Sequence, residues 1–106
     1  MLLAGCGHAG IVNTVEYARK TARPAPLHAA IGGFHLFPLD DKRLDWTADR
    51  LRDAGLENFV GAHCTGIEPV YRLRTRLGLP RERAVVGAVG ASFELGKGID
   101  PLNVAR

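Results

Sequence analysis

Short apolar segments alternate with longer amphipathic ones along this chain. Met1–Ala4, Leu27–Gly33 and Asn58–Ala62 are predicted strands. Leu27–Gly33 has no polar alternate face, which is typical of a strand covered on both sides. The alternation predicts a layered α/β fold in which helices connect the strands.

Three helices are predicted between and after these strands. Apolar residues at helical spacing place the first helix at roughly Ala9–Ala22, and Asp40 or Asp41 caps the second. Thr65 and Glu68 form a capping-box pattern, with Thr at the N-cap and Glu at N3. The third helix is therefore predicted to begin at Thr65.

The C-terminal part of the chain is less regular. Ala84–Leu95 is rich in β-branched residues and predicts one or two strands. The remaining residues, 96–106, are predicted to be a tail, so the domain is expected to span residues 1–95.

Length and charge exclude several classes of protein. A chain of 106 residues with 46% hydrophobic and 24% charged residues predicts one globular domain, not a two-domain enzyme. The 14 basic residues are interspersed with 11 acidic ones, which argues against a nucleic-acid partner. The apolar start meets Gly5 at once, so neither a secretion signal nor a membrane span is expected. We therefore expect a cytoplasmic protein with two reduced cysteines.

Histidines stand where three of the predicted strands end. These are His8, His35 and His63, and Cys6 and Cys64 lie beside two of them. Ligands gather at the carboxyl edge of parallel strands, and imidazole with thiolate is ligand chemistry for zinc or a similar divalent metal. The sequence thus predicts a metal-binding cluster, although its spacing matches no zinc-finger pattern.

More ordinary explanations apply to each residue taken alone. A single histidine at a strand end is commonly a hydrogen-bonding turn residue, and a free cysteine is commonly a small buried one. His28 stands at the start of a strand, on the opposite edge, and is expected to play no part. The metal hypothesis therefore depends on the other histidines coming together.

Two further patterns leave alternatives open. Gly5–Gly10 matches G-x-G-x-x-G between a strand and a helix, which is typical of a Rossmann-like dinucleotide site. The acidic residue that such a site expects is missing, because Ile31–Phe34 occupies its place. The arginines between Arg72 and Arg83 either steer a phosphorylated substrate or form the solvated side of the third helix.

Three ordered motifs resemble one known family. They are Gly5–Asn13 (GCGHAGIVN), Ile31–Leu36 (IGGFHL) and His63–Gly66 (HCTG). Together they resemble the carboxy-terminal part of the metallo-β-lactamase-fold hydrolases, in the branch that includes the dihydropterin ribofuranosylaminobenzene phosphate synthases. The resemblance extends from Gly5 to about Glu94.

This resemblance implies a fold, a cofactor and a reaction. The fold is the carboxy-terminal half of an αββα sandwich, and the cofactor is a divalent metal, with zinc ahead of manganese or iron. The resemblance makes His8 and His63 metal ligands, and it places His35, Cys6 and Cys64 around the site. The complete enzyme would direct a metal-activated water at a phosphoryl or acyl centre of a small molecule, with phosphorylated molecules among the candidates.

One departure from the family limits these expectations. The amino-terminal H-x-H-x-D-H motif, which supplies much of the metal site, does not occur in this sequence. We therefore expect a fragment that binds metal weakly and turns over little substrate. Half a sandwich also exposes an apolar sheet face, which predicts self-association or pairing with a chain that carries the missing half. A non-catalytic assembly module is the remaining alternative.

Overall fold

The computed structural model describes residues 1–101, in which four parallel strands form a sheet and two short strands form a hairpin. A 3₁₀ turn at Arg81–Arg83 precedes the fourth strand. No helix among the described residues is long and apolar enough to cross a membrane. The elements are β1 (Leu2–Ala4), α1 (Ile11–Thr21), β2 (Ala29–Gly33), α2 (Asp41–Asp53), β3 (Asn58–Ala62), α3 (Ile67–Leu77), β4 (Ala84–Val86), β5 (Ser92–Glu94) and β6 (Gly98–Asp100).

The sheet order follows the chain order, β1-β2-β3-β4. Each pair of neighbours is parallel and is connected through a helix. Because such crossovers are right-handed, successive helices lie on the same face of the sheet. Accordingly, α2 packs against both α1 and α3. Because all four strands are parallel, their carboxyl ends lie at the same edge of the sheet.

The core lies between the sheet and the helices. Phe34 and Phe59 are almost fully buried, and their ring centroids are 5.3 Å apart. Leu51 of α2 and Leu73 of α3 belong to the same cluster and are also almost fully buried. Burying side chains of this size contributes about 1.5–3 kcal/mol each, so this layer stabilises the sheet that carries the site.

The opposite face of the sheet carries a second apolar row. Leu3, Ile31, Val60 and Val85 lie side by side in the strand register, and all four lie outside the main core cluster. Leu3 is 66% exposed, whereas Val60 is only 8% exposed. The expected association of this face with another chain stays a prediction.

Helix starts differ in how well they match the prediction. Asp40 caps α2, and its carboxylate accepts a hydrogen bond from the backbone N–H of Arg43 at 2.8 Å. The capping box predicted for α3 is wrong, because Gly66 is the N-cap residue. Thr65 is instead fully buried, and its hydroxyl donates to the carbonyl of Ala62 at 2.8 Å.

Part of the segment expected to be a tail forms a strand. Gly98–Asp100 pairs antiparallel with Ser92–Glu94 to make the β5-β6 hairpin. The turn between them contains an ion pair in which Lys97 Nζ lies 2.9 Å from Glu94 Oε1. The end of the expected tail, residues 102–106, lies outside the described residues.

Candidate metal centre

The loops that follow β1, β2 and β3 meet at the carboxyl edge of the sheet. The backbone N–H of Gly33 donates to the carbonyl of Gly5 at 3.1 Å, which joins the first two loops. The backbone N–H of Phe34 donates to the hydroxyl of Thr65 at 3.1 Å, which joins the second loop to the third. These two contacts hold the histidines and cysteines of the three loops in one place.

Cys6 lies at the centre of the resulting cluster. Its Sγ is 2.9 Å from Nε2 of His8 and 2.9 Å from Sγ of Cys64. Two groups of potential ligand atoms overlap there, each with all members within 4.8 Å of one another: Cys6, His8 and His35 in one, and Cys6, His63 and Cys64 in the other. Cys6 therefore belongs to both groups.

The five residues singled out from the sequence all lie in this cluster. His8 and His63, however, do not share either group, and Cys6 stands between them. Their role as ligands of one ion stays a prediction. The family resemblance placed Cys6 around the site and not among the ligands, although its Cys-x-His spacing was a signal for ligation. His28 lies elsewhere, with Nδ1 3.1 Å from Oε2 of Glu57.

His35 has an unusual environment. Its ring stacks on that of His8, with centroids 4.2 Å apart, and its Nδ1 is buried with no hydrogen-bond partner among the described residues. Buried polar atoms normally have partners, so an unpaired one calls for an explanation such as a bound ion. His35 and His63 also have left-handed backbone, at φ 49° and 53°. Such strain in non-glycine residues concentrates at functional sites.

The donor set fits a borderline divalent metal. Within residues 1–101, two thiols and three imidazoles lie at one edge, and Nδ1 of His35 has no partner there and is available for another interaction. Imidazole and thiolate are preferred by zinc, whereas manganese prefers oxygen ligands. The residues present therefore suit a zinc ion better than a hard cation.

The two thiols differ in acidity. Burial raises the pKa of the Cys64 thiol, but hydrogen bonds from Cys6, His63 and His35 outweigh this effect and lower the pKa to about 6. The hydrogen bond to Cys64 and burial raise the pKa of Cys6. Negative charge is therefore favoured on Cys64 over Cys6.

This difference predicts a pH-dependent reactivity of Cys64. In the metal-free protein, alkylation of Cys64 by iodoacetamide should rise with a midpoint near pH 6, because the thiolate is the nucleophile. In a Cys6→Ala variant, the hydrogen bond from Cys6 is lost and the midpoint should move upward. Peptide mass spectrometry of the alkylated proteins measures the midpoint for the wild type and for the variant. A midpoint near the ordinary thiol value, about 8.5, in both proteins would contradict this charge distribution.

A pocket of about 430 Å³ opens beside the cluster. His8 and His35 contribute to its lining, as do Arg43 and Trp46 of α2. Most of the remaining wall is apolar, which is typical of a small-molecule site with a few orienting polar groups.

The arginines of α3 are engaged elsewhere. Arg72 forms two hydrogen bonds to the carboxylate of Asp45, at 2.8 and 3.0 Å, and Arg76 forms two to Asp49, both at 2.9 Å. The guanidinium groups lower the pKa of both carboxyls. These residues tie α3 to α2 and do not line the pocket.

The dinucleotide alternative finds little support in this geometry. Dinucleotides bind open α/β sheets where the strand order reverses, and the order of the described parallel strands is sequential. In addition, Cys6 and His8 of the glycine-rich turn belong to the cluster just described.

Comparisons with known proteins agree with the resemblance of the motifs. No family profile matches the chain. Over 68 residues the chain is 35% identical to the 7,8-dihydropterin-6-methyl-4-(beta-D-ribofuranosyl)-aminobenzene-5'-phosphate synthase of Methanocaldococcus jannaschii, covering 64% of this chain and 23% of the synthase. An uncharacterized protein of the same organism is 33% identical over 73 residues, covering 69% of this chain and 27% of that protein. The chain thus spans about a quarter of the length of these relatives.

The structural comparison concerns a larger part of this chain. The crystal structure of a metal-dependent hydrolase of the beta-lactamase superfamily matches it with a TM-score of 0.68 and 25% identity, over 80% of this chain and 31% of the hydrolase. The chain has part of a metallo-β-lactamase fold. The predicted α/β class and the resemblance to this superfamily are confirmed.

Proposed function

We propose that this chain supplies metal ligands and a substrate pocket to a metal-dependent hydrolase of the metallo-β-lactamase superfamily, with zinc as the metal. The observation that carries the proposal is the cluster around Cys6, in which two groups of thiol and imidazole ligands overlap. The similarity to a metal-dependent hydrolase and to a synthase supports it.

His8 and His63 are the proposed histidine ligands, with Cys6 between them. A zinc ion would supply a bound water of lowered pKa for attack on a phosphoryl or acyl centre. The lowered pKa of Cys64 favours its thiolate, whose negative charge would help to balance that of a divalent cation. His35, whose buried Nδ1 has no partner within residues 1–101, borders both the cluster and the pocket.

The pocket orients a small molecule against this cluster. Its apolar wall excludes water from the reacting side, and the ring of Trp46, which is 56% exposed, offers a surface for packing. Arg43 is the one guanidinium among the described residues that line the pocket. A substrate with a phosphoryl or carboxyl group would pair with Arg43. The substrate we propose is therefore a small anionic molecule that carries a phosphoryl or carboxyl group.

Metal binding by histidine variants tests this proposal. Zinc affinity of the full chain is measured by competition with a chelating indicator, for the wild type and for His8→Ala and His63→Ala. Each variant should bind zinc at least about 10-fold more weakly, since loss of a ligand should cost no less than loss of an outer-shell partner, which costs about 10–100-fold. His28→Ala is the matched control, because His28 lies outside both ligand groups, and it should bind like the wild type. Equal zinc affinity in all four proteins would overturn the proposal.

A further inference from the structure

We propose that Cys6 and Cys64 form a reversible disulfide, which makes this centre sensitive to oxidants. The dithiol, defined as these two residues, joins the loop after β1 to the loop after β3, across the intervening strand β2. The formation of the disulfide stands on geometry alone. Its effect on metal binding rests on the proposed function.

The two sulfurs are placed for bond formation. They lie 2.9 Å apart although 58 positions separate them in the chain. A disulfide bond is about 2.05 Å long, so the two sulfurs need to approach by only about 0.9 Å to form one. The Cys6 and Cys64 loops are both tied to the β2 loop by the backbone hydrogen bonds of Gly33 and Phe34. The dithiol is therefore held together in the reduced protein.

Both cysteines are also accessible to a small oxidant. Each is only partly buried, unlike the fully buried cysteines that remain inert. The backbone N–H of His35 donates to Sγ of Cys64 at 3.2 Å, which orients that sulfur in the cluster. A small molecule such as hydrogen peroxide can thus reach a pair of thiols that is already aligned.

Oxidation by a peroxide balances as a two-electron step. One sulfur attacks a peroxide oxygen, the O–O bond breaks, and a sulfenic acid and one water form. The second sulfur then attacks the first, the S–O bond breaks, and a second water leaves. The dithiol loses two electrons and two protons in total, and the peroxide is reduced to two waters.

The disulfide would remove metal donors. Cys6 belongs to both ligand groups and Cys64 to one, and thiolate, not disulfide sulfur, is the metal ligand. The oxidised chain keeps only the imidazoles of the cluster. Peroxide should therefore switch the centre from a metal-binding state to a metal-free one, and a thiol reductant should reverse the change.

The test combines a thiol count with a zinc titration. The reduced, metal-free full chain is treated with hydrogen peroxide, and free thiols are counted with a chromogenic disulfide reagent. We expect both thiols to disappear together, the mass of the monomer to fall by two hydrogens, and a phosphine reductant to restore both. Cys6→Ser and Cys64→Ser are matched controls that keep one thiol each, and neither should give this intramolecular product.

Zinc affinity before and after oxidation separates the two proposals. We expect the oxidised wild type to lose at least 100-fold in zinc affinity and the reductant to restore it. If the reduced chain binds zinc but peroxide produces no disulfide, the dithiol proposal is overturned and the proposed function stands. If the disulfide forms but the reduced chain binds no zinc, the proposed function is overturned and the dithiol proposal stands. A disulfide that leaves zinc affinity unchanged would refute the switch.

Discussion

Gly32→Ala is expected to prevent this chain from folding. Gly32 pairs with Ala4 in the register of β1 on β2 and has a φ of +130°, which side-chain-bearing residues rarely adopt. A Cβ at this position would lie 1.9 Å from the carbonyl oxygen of Ala4. That oxygen belongs to the backbone, so relief requires β1 to separate from β2.

The expected cost is comparable with the stability of the whole domain. The strained backbone alone costs about 1–3 kcal/mol, and loss of the β1 pairing adds to this, against a typical total of about 5–15 kcal/mol. Far-ultraviolet circular dichroism and urea unfolding measure the result. We expect a collapsed or absent unfolding transition in the Gly32→Ala protein.

Gly5→Ala is the matched control for this experiment. Gly5 lies one residue beyond β1, and a Cβ there would meet nothing within 4 Å. The unfolding free energy of the Gly5→Ala protein should differ from that of the wild type by no more than about 0.5 kcal/mol. A Gly32→Ala protein that unfolds like the Gly5→Ala protein would show that β1 is not paired with β2 in this register.

Cys6→Ala is expected to weaken zinc binding more than any histidine variant. Cys6 contributes to both ligand groups, whereas His8 and His63 each contribute to one. Changes around a metal site that spare its ligands already cost about 10–100-fold in affinity, so loss of a shared ligand should cost roughly 100-fold or more. Competition with a chelating indicator measures the zinc affinity.

Cobalt(II) gives an independent readout of the same variant. Thiolate ligation produces a sulfur-to-cobalt charge-transfer absorption, which the Cys6→Ala protein should lose in large part. Circular dichroism confirms that the variant remains folded, and His28→Ala again serves as the control, since His28 pairs with Glu57 away from the cluster. If Cys6→Ala binds zinc as tightly as the wild type, Cys6 is not a ligand and the cluster must be interpreted without it.

Local patterns account for the features that were predicted correctly. The Asp40 cap, the apolar faces of the helices and the strand at Asn58–Ala62 depend on neighbouring residues, and the structure contains all of them. The position of His8, His35 and His63 after successive strands was also visible, because parallel strands bring their carboxyl ends to one edge.

The tertiary structure decided the features that depend on distant residues. Thr65 lies in a capping-box sequence, but its hydroxyl accepts a hydrogen bond from the backbone N–H of Phe34, and Gly66 is the N-cap residue. The sequence of Gly98–Asp100 has no clear strand pattern. It forms a strand because it pairs with β5.

The sequence by itself determined which side chains reach the carboxyl edge of the sheet, since strand periodicity and helix punctuation are local properties. Only the tertiary structure made Cys6 the shared member of the cluster and stacked His35 on His8. Those contacts require β1, β2 and β3 to approach at a particular register, which depends on glycine backbones with no room for a Cβ. Such close approach is a property of the packed sheet and not of any segment in isolation.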